Sequence, residues 1–235
     1  MNASTSRRLS ASVIFPLLSA CTMALISAYA RADTRVGEAL ALNGAGAIPA
    51  CASCHGTTGE GSATAGFPRL AGQGEAYLVK QLQDYAKQQR SNATMQPIAA
   101  RLSAQQILDV ATYYASLPGW HPSALKQAIS ASSSAQPETQ QTAGYTLAQR
   151  GNWNNGVPAC FACHGTLGSG VAPHFPAIAG QPAGYTRTQM DAWQRGQRNN
   201  DPQGLMQSVA RKMSETEIAA VSAYFENPTI PGAPQ

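Results

Sequence analysis

Nearly the whole chain is written twice. GEALALNG (37–44) returns as GYTLAQRG (144–151), and IPACASCHG (48–56) as VPACFACHG (157–165). FPRLAGQ (67–73) returns as FPAIAGQ (175–181), and MQPIAARLS (95–103) as MQSVARKMS (206–214). The offset drifts only between 107 and 111 residues, so the copies differ by short loop insertions. A repeat of this length means two homologous domains rather than one fold of 235 residues. Their expected bounds are 33–118 and 140–235. Residues 119–139, rich in Ser, Gln and Pro, read as a linker, with a helical turn at Lys126–Ile129.

Within each copy the pattern is helix, loop, helix, loop, helix. The first helix is expected near Val36–Leu42 and Ala143–Gln149, the middle one near Glu75–Gln88 and Ala183–Gln194. Ser103-Ala-Gln-Gln106 and Ser214-Glu-Thr-Glu217 have capping-box spacing and open the last helix. Ile107, Val110, Tyr114 and Leu117 then share one face, as do Ile218, Val221 and Phe225. Few stretches alternate as strands do. Each domain is therefore all-α and so small that its own core is limited, and such domains draw on a disulfide, metal or cofactor for support.

Residues 1–32 read as a signal peptide. Arg7 and Arg8 precede an apolar run over 11–30, and Ala28-Tyr29-Ala30 and Ala30-Arg31-Ala32 offer small-x-small cleavage sites. Cleavage after Ala32 would leave Asp33 first and place the protein in the periplasm. Leu18-Ser19-Ala20-Cys21 is similar to a lipobox, and lipid on Cys21 would tether the chain to the membrane surface. The apolar continuation over 22–30 speaks against that. Three of the 16 basic residues fall in this segment, leaving 13 against 12 acidic ones. No basic patch remains that would serve nucleic acid.

The four cysteines beyond it all lie in the two Cys-x-x-Cys-His strings. A shared zinc site would need ligand pairs close in sequence, whereas these are over a hundred residues apart. Within one domain, adjacent Cys54 and His55 are poorly placed to chelate one tetrahedral ion. A redox disulfide would sit beside a βαβ pattern and needs no following histidine. Covalent haem c does need it: two thiols bond the porphyrin and the next imidazole reaches the iron. Two haems are expected, on Cys51, Cys54 and His55, and on Cys160, Cys163 and His164. For the opposite face, the first domain has one methionine, Met95, and no second histidine. The second has Met190, Met206 and Met213, of which only Met206 aligns with Met95. Met190 and Met213 read as core packing, and His121 and His174 as surface residues.

These residues together resemble the class I cytochromes c, and specifically the dihaem cytochrome c4 family. The likeness rests on both haem-binding strings, on Phe67-Pro-x-Leu-Ala-Gly-Gln73 and its copy Phe175-Pro-x-Ile-Ala-Gly-Gln181, and on the Met95 and Met206 segments. It implies an all-α protein of two tandem cytochrome c domains, each wrapped around one haem. It implies that the Pro68 and Pro176 carbonyls accept a hydrogen bond from the axial histidine, and that Leu70 and Ile178 pack on the porphyrin. Gly37 and Gly144 resemble the small residue where the first helix crosses the last. Tyr77, Arg90, Tyr185 and Arg198 recur between the copies, either as partners of haem propionates or as caps on surface structure.

The expected function is electron carriage, one electron per His/Met-ligated haem, with no substrate bond made or broken. In the setting the family suggests, the redox partners are a quinol-oxidising bc complex and a terminal oxidase. A cytochrome subunit of a periplasmic dehydrogenase is the first alternative, and a haem enzyme with a labile ligand the second.

Overall fold

Asp33 opens the first helix because its carboxylate accepts the N–H groups of Arg35 and Val36. In this computed structural model, which describes residues 31–120 and 138–229, the first domain runs α1 (Thr34–Asn43), α2 (Ala52–His55), α3 (Glu75–Ala86), α4 (Met95–Ala99) and α5 (Ala104–Ser116). The second repeats the order as α6 (Glu138–Arg150), α7 (Cys160–His164), α8 (Ala183–Gln194), α9 (Leu205–Lys212) and α10 (Glu215–Glu226). Among the described residues, extended pairing is limited to isolated bridges. Residues 1–30 and 121–137 lie outside the description, and with them most of the expected signal peptide, Cys21, His121, the Lys126–Ile129 turn and most of the expected linker.

Both capping boxes form. Ser103 and Gln106 cap α5 reciprocally, and Ser214 and Glu217 cap α10. The two cores then match position by position. Leu40, Ala41, Ile48, Val110 and Tyr113 are buried in the first domain. Leu147, Ala148, Val157, Val221 and Tyr224 are buried in the second. The first helix crosses the last at a glycine in each copy. A Cβ on Gly37 would overlap the Asp109 carbonyl oxygen and come within 2.9 Å of Tyr113 Cβ. A Cβ on Gly144 would overlap the Ala220 carbonyl oxygen and come within 2.5 Å of Tyr224 Cβ.

Three features differ from the sequence reading. Each Cys-x-x-Cys-His string, expected in the loop between the first and middle helices, forms a short helix, α2 or α7. Helix α6 starts at Glu138, inside the expected linker. Met95 and Met206 each sit at the start of a short helix rather than in a loop. Asn92 Oδ1 accepts the N–H groups of Thr94 and Met95, and Asp201 Oδ2 accepts that of Gln207, so a side-chain acceptor starts each turn. Periodicity does not reveal helices this short, and Pro97 inside α4 reads as a breaker, although proline is tolerated in a first turn.

The domains pack into one compact unit through a pseudo-twofold interface. Arg90 and Arg198, equivalent in the repeat, form an antiparallel bridge. Gln73 of the first domain bonds Ala177 of the second, and the equivalent Gln181 bonds Arg69, the counterpart of Ala177. This is the reciprocity of a twofold contact, built within one chain.

Candidate haem sites and the interface between them

Each Cys-x-x-Cys-His string folds as a single helical turn, which brings both thiols and the imidazole to one short element. Cys51 is the residue before α2, and Cys54 and His55 lie within it. Cys160, Cys163 and His164 all lie within α7. A glycine ends each turn with positive φ, 84° at Gly56 and 75° at Gly165. The chain then folds back: Gly61 N–H donates to the His55 carbonyl and Gly170 N–H to the His164 carbonyl. Leu70 and Ala71 donate to the Gly59 carbonyl, and Ile178 and Ala179 to that of Gly168. These bonds hold the Phe-Pro segment against the histidine.

The result is the same in both copies. His55 Nδ1 lies 2.9 Å from the Pro68 carbonyl oxygen, and His164 Nδ1 lies 2.8 Å from that of Pro176. A carbonyl can only accept, so Nδ1 carries the proton and Nε2 is left with its lone pair free. The histidine–proline separation is 13 residues in one copy and 12 in the other, yet the contact is kept. Both imidazoles are buried. Burial holds each below the usual histidine range, with the bond to proline working the other way. A neutral imidazole with Nδ1–H anchored and Nε2 bare is the form that ligates a metal.

An acid-stability expectation attaches to Glu217, which is held below the usual carboxylate range mainly by Asn152 and then by its Ser214 cap, with burial working the other way. A lowered folded-state value means that its stabilisation is full above the ordinary value of 4.5 and is lost as pH falls through the folded value. Glu217→Gln should therefore flatten part of the fall in denaturation midpoint below pH 4.5; an acid limb identical to that of the wild type would contradict this role.

Cys51 and Cys160 are not tuned as reactive thiolates. Burial raises the Cys51 thiol and pushes that of Cys160 up to about 11, whereas redox-active pairs have lowered values. Among the described residues, no cluster of three His, Cys, Asp or Glu side chains converges as a bare metal site. Leu70 and Ile178 are half-buried against their domain cores. Met95 and Met206 are also half-buried, while Met190 and Met213 fill the second core. His174 is exposed.

Tyr77, Arg90, Tyr185 and Arg198 do not cap surface structure. Both arginines are buried and reach across the interface. Arg90 donates to Tyr185 Oη (3.0 Å) and Gln189 Oε1 (2.7 Å), and to Gln81 within its own domain. Arg198 donates to Gln81 Oε1 (3.3 Å), to Tyr77 Oη (3.5 Å), and to Gln189 in its own domain (2.8 Å). Residues recurring at equivalent positions meet because the copies pack face to face. Sequence reasoning gave no role to Gln73, Gln81, Gln181 and Gln189. Their recurrence as polar residues in both copies was the signal that marked them.

The site also offers what an anionic, oxygen-rich group would need. Among the described residues, neither buried guanidinium has a carboxylate within 4 Å; Asp84 pairs with Lys80 instead. Arg90 stacks over Tyr85 and Arg198 over Trp193, again at equivalent positions. Trp193 Nε1 and Arg69 Nε are buried without a hydrogen-bond partner. Uncompensated cations and orphaned donors fit the carboxylates that haem carries on its edge.

An all-α pair of domains, each presenting two thiols and an anchored imidazole on one turn, defines a c-type cytochrome. The cytochrome c family model matches residues 41–118 and 141–227. The chain belongs to that family, and within it to the dihaem cytochromes c4. It is 39% identical to a cytochrome c4 of Thiocapsa roseopersicina, over 83% of this chain and 92% of that one. It is 44% identical to a protein of Stutzerimonas stutzeri named thiosulfate dehydrogenase electron acceptor, over 77% of this chain and 80% of the relative. Among solved structures, reduced cytochrome c4 from Pseudomonas stutzeri superposes with a TM-score of 0.70 at 31% identity, covering 84% of this chain and 99% of that one. A thiosulfate dehydrogenase (TsdBA) from Marichromatium purpuratum superposes at 0.73 with 36% identity; the match covers 83% of this chain and only 40% of that longer one. The protein thus carries two covalently bound haem c groups and is an electron carrier.

Proposed function

We propose that this is a periplasmic dihaem carrier in which His55 and Met95 ligate one iron, and His164 and Met206 the other. Cys51 and Cys54 would hold the first porphyrin and Cys160 and Cys163 the second, with Leu70 and Ile178 packed on the rings. The observation that carries the reading is the duplicated histidine–proline bond, which leaves Nε2 of both imidazoles bare in a buried site. Bound haem supplies the one-electron iron couple. The thioethers of Met95 and Met206 would complete each iron's ligand set and favour the ferrous form, so that electrons pass without a substrate site being opened. The buried Arg90–Arg198 pair supplies positive charge that would offset the propionates.

The mature chain would begin at Asp33, with domains over 33–118 and 140–235. Asp33 caps α1, so cleavage after Ala32 would leave the first helix whole. Among the described residues, no helix is long and apolar enough to cross a membrane. The donor would be a quinol-oxidising bc complex and the acceptor a terminal oxidase. A second reading makes a periplasmic dehydrogenase the donor, and it draws on two relatives named as electron acceptors of thiosulfate dehydrogenase. Purification from the native host separates the two readings: a stoichiometric dehydrogenase partner favours the second, and its absence the first.

A spectroelectrochemical titration of the holoprotein tests the ligand set. Two haems are expected, with the weak near-red sulfur–iron band in the ferric form. Ready binding of carbon monoxide by the ferrous wild-type protein would overturn the methionine assignment for the haem concerned.

A further inference from the structure

The peptide group joining Pro68 to Arg69 is bonded on both sides. Its carbonyl oxygen accepts Nδ1–H of His55 at 2.9 Å, and its N–H donates across the interface to Gln181 Oε1 at 3.1 Å. The copy is arranged identically: the Pro176 carbonyl accepts from His164 at 2.8 Å, and the Ala177 N–H donates to Gln73 Oε1 at 3.1 Å. Each glutamine is pinned by its own amide, Gln181 Nε2 donating to the Arg69 carbonyl (2.8 Å) and Gln73 Nε2 to the Ala177 carbonyl (2.6 Å). Gln73 is 4% exposed and Gln181 5%, so water does not compete for these bonds.

Hydrogen bonds in series polarise one another. An acceptor on a peptide N–H pushes electron density toward that peptide's carbonyl oxygen. The carbonyl then draws more strongly on the imidazole N–H, and the ring becomes a stronger donor at its other nitrogen. A stronger imidazole donor stabilises ferric iron and lowers the reduction potential.

We infer that each axial histidine is tuned from the opposite domain, His55 by Gln181 and His164 by Gln73. The inference rests on His55 and His164 being the axial ligands. The glutamines are positioning residues: they touch neither imidazole and act through one peptide group. The domain interface is then part of what sets each haem's potential, and drawing the domains apart would raise both.

The test uses holoprotein carrying Gln181→Leu or Gln73→Leu. Each variant keeps the side chain's bulk and removes the acceptor. Potentials are read by spectroelectrochemistry, with each haem assigned from the haem-methyl NMR signals that change in Met95→Ala and in Met206→Ala. Gln181→Leu should raise the ferrous-to-ferric ratio of the His55 haem by about three- to tenfold at fixed potential. The His164 haem should stay within about twofold. Gln73→Leu should do the reverse. In the ferrous form, the ring N–H proton of His55 should move upfield in Gln181→Leu and stay in place in Gln73→Leu. Should a leucine variant fail to load haem, Gln→Met at the same position carries the same expectation.

Only this crossed pattern supports the proposal, because mere loosening of the interface would move both haems. Equal shifts at both haems, a shift confined to the variant's own domain, or no shift would each overturn it. A wild-type spectrum with two His/Met haems beside such a result leaves the ligand reading intact. A wild-type protein without that spectrum would sink the ligand reading itself.

Discussion

Met95→Ala is expected to open the sixth position of one haem and leave the other untouched. Loss of the thioether removes the ligand that favours ferrous iron, so the affected potential should fall by on the order of 0.1–0.2 V, a fraction of the ~0.8 V that axial ligands span. Half of the near-red band should vanish, and the ferrous variant should bind one carbon monoxide per protein. Met206→Ala should do the same at the second haem, and the double variant should bind two. The controls are Met190 and Met213, which lie in the core of the second domain. Met190→Leu and Met213→Leu should keep both bands, since swaps of similar volume in a core cost less than about 1.5 kcal/mol. If Met206→Ala keeps its full near-red band and Met213→Leu loses half, the alignment has chosen the wrong methionine.

Gly37→Leu and Gly144→Leu should each abolish folding of the domain they lie in. Even the first atom of a side chain at Gly37 would overlap the backbone of Asp109, and at Gly144 that of Ala220. Backbone cannot swing aside as a flexible side chain can, so α1 must lift off α5, and α6 off α10. That crossing buries Leu40, Val110 and Tyr113 in one domain and Leu147, Val221 and Tyr224 in the other. Overpacking at such a site costs about 3 kcal/mol or more, a large share of what a domain this size has. Circular dichroism on heating should show loss of one helical set. The fraction of protein loaded with two haems should fall sharply for both variants. A Gly37→Leu protein that melts within a few degrees of wild type would show that the helices do not cross there.

Helix positions were legible in the sequence wherever a physical signal was local. The capping boxes at Ser103 and Ser214 formed as the spacing predicts, because N-cap geometry involves only four consecutive residues. The face carrying Ile107, Val110 and Tyr114 is buried, as 3.6-residue periodicity requires. Helices α4 and α9 were not legible. They are five and eight residues long and begin on side-chain acceptors at Asn92 and Asp201, which read as loop residues. The roles of Arg90 and Arg198 were half legible. Their recurrence marked them, but it could not say that they meet each other across an interface.

The amino-acid string alone therefore settles what depends on neighbours along the chain: two copies, all-α domains, and two thiols and an imidazole gathered within five consecutive residues of each copy. Recurrence adds a candidate, since Met206 alone of the three methionines in the second copy aligns with Met95. Contacts between residues over a hundred positions apart were decided only in three dimensions. The bonds from Gln181 to Arg69 and from Gln73 to Ala177 span 112 and 104 residues, and nothing local encodes them. They exist because the two cores dock about a pseudo-twofold axis, which brings equivalent polar residues into register and leaves buried N–H groups that must be satisfied.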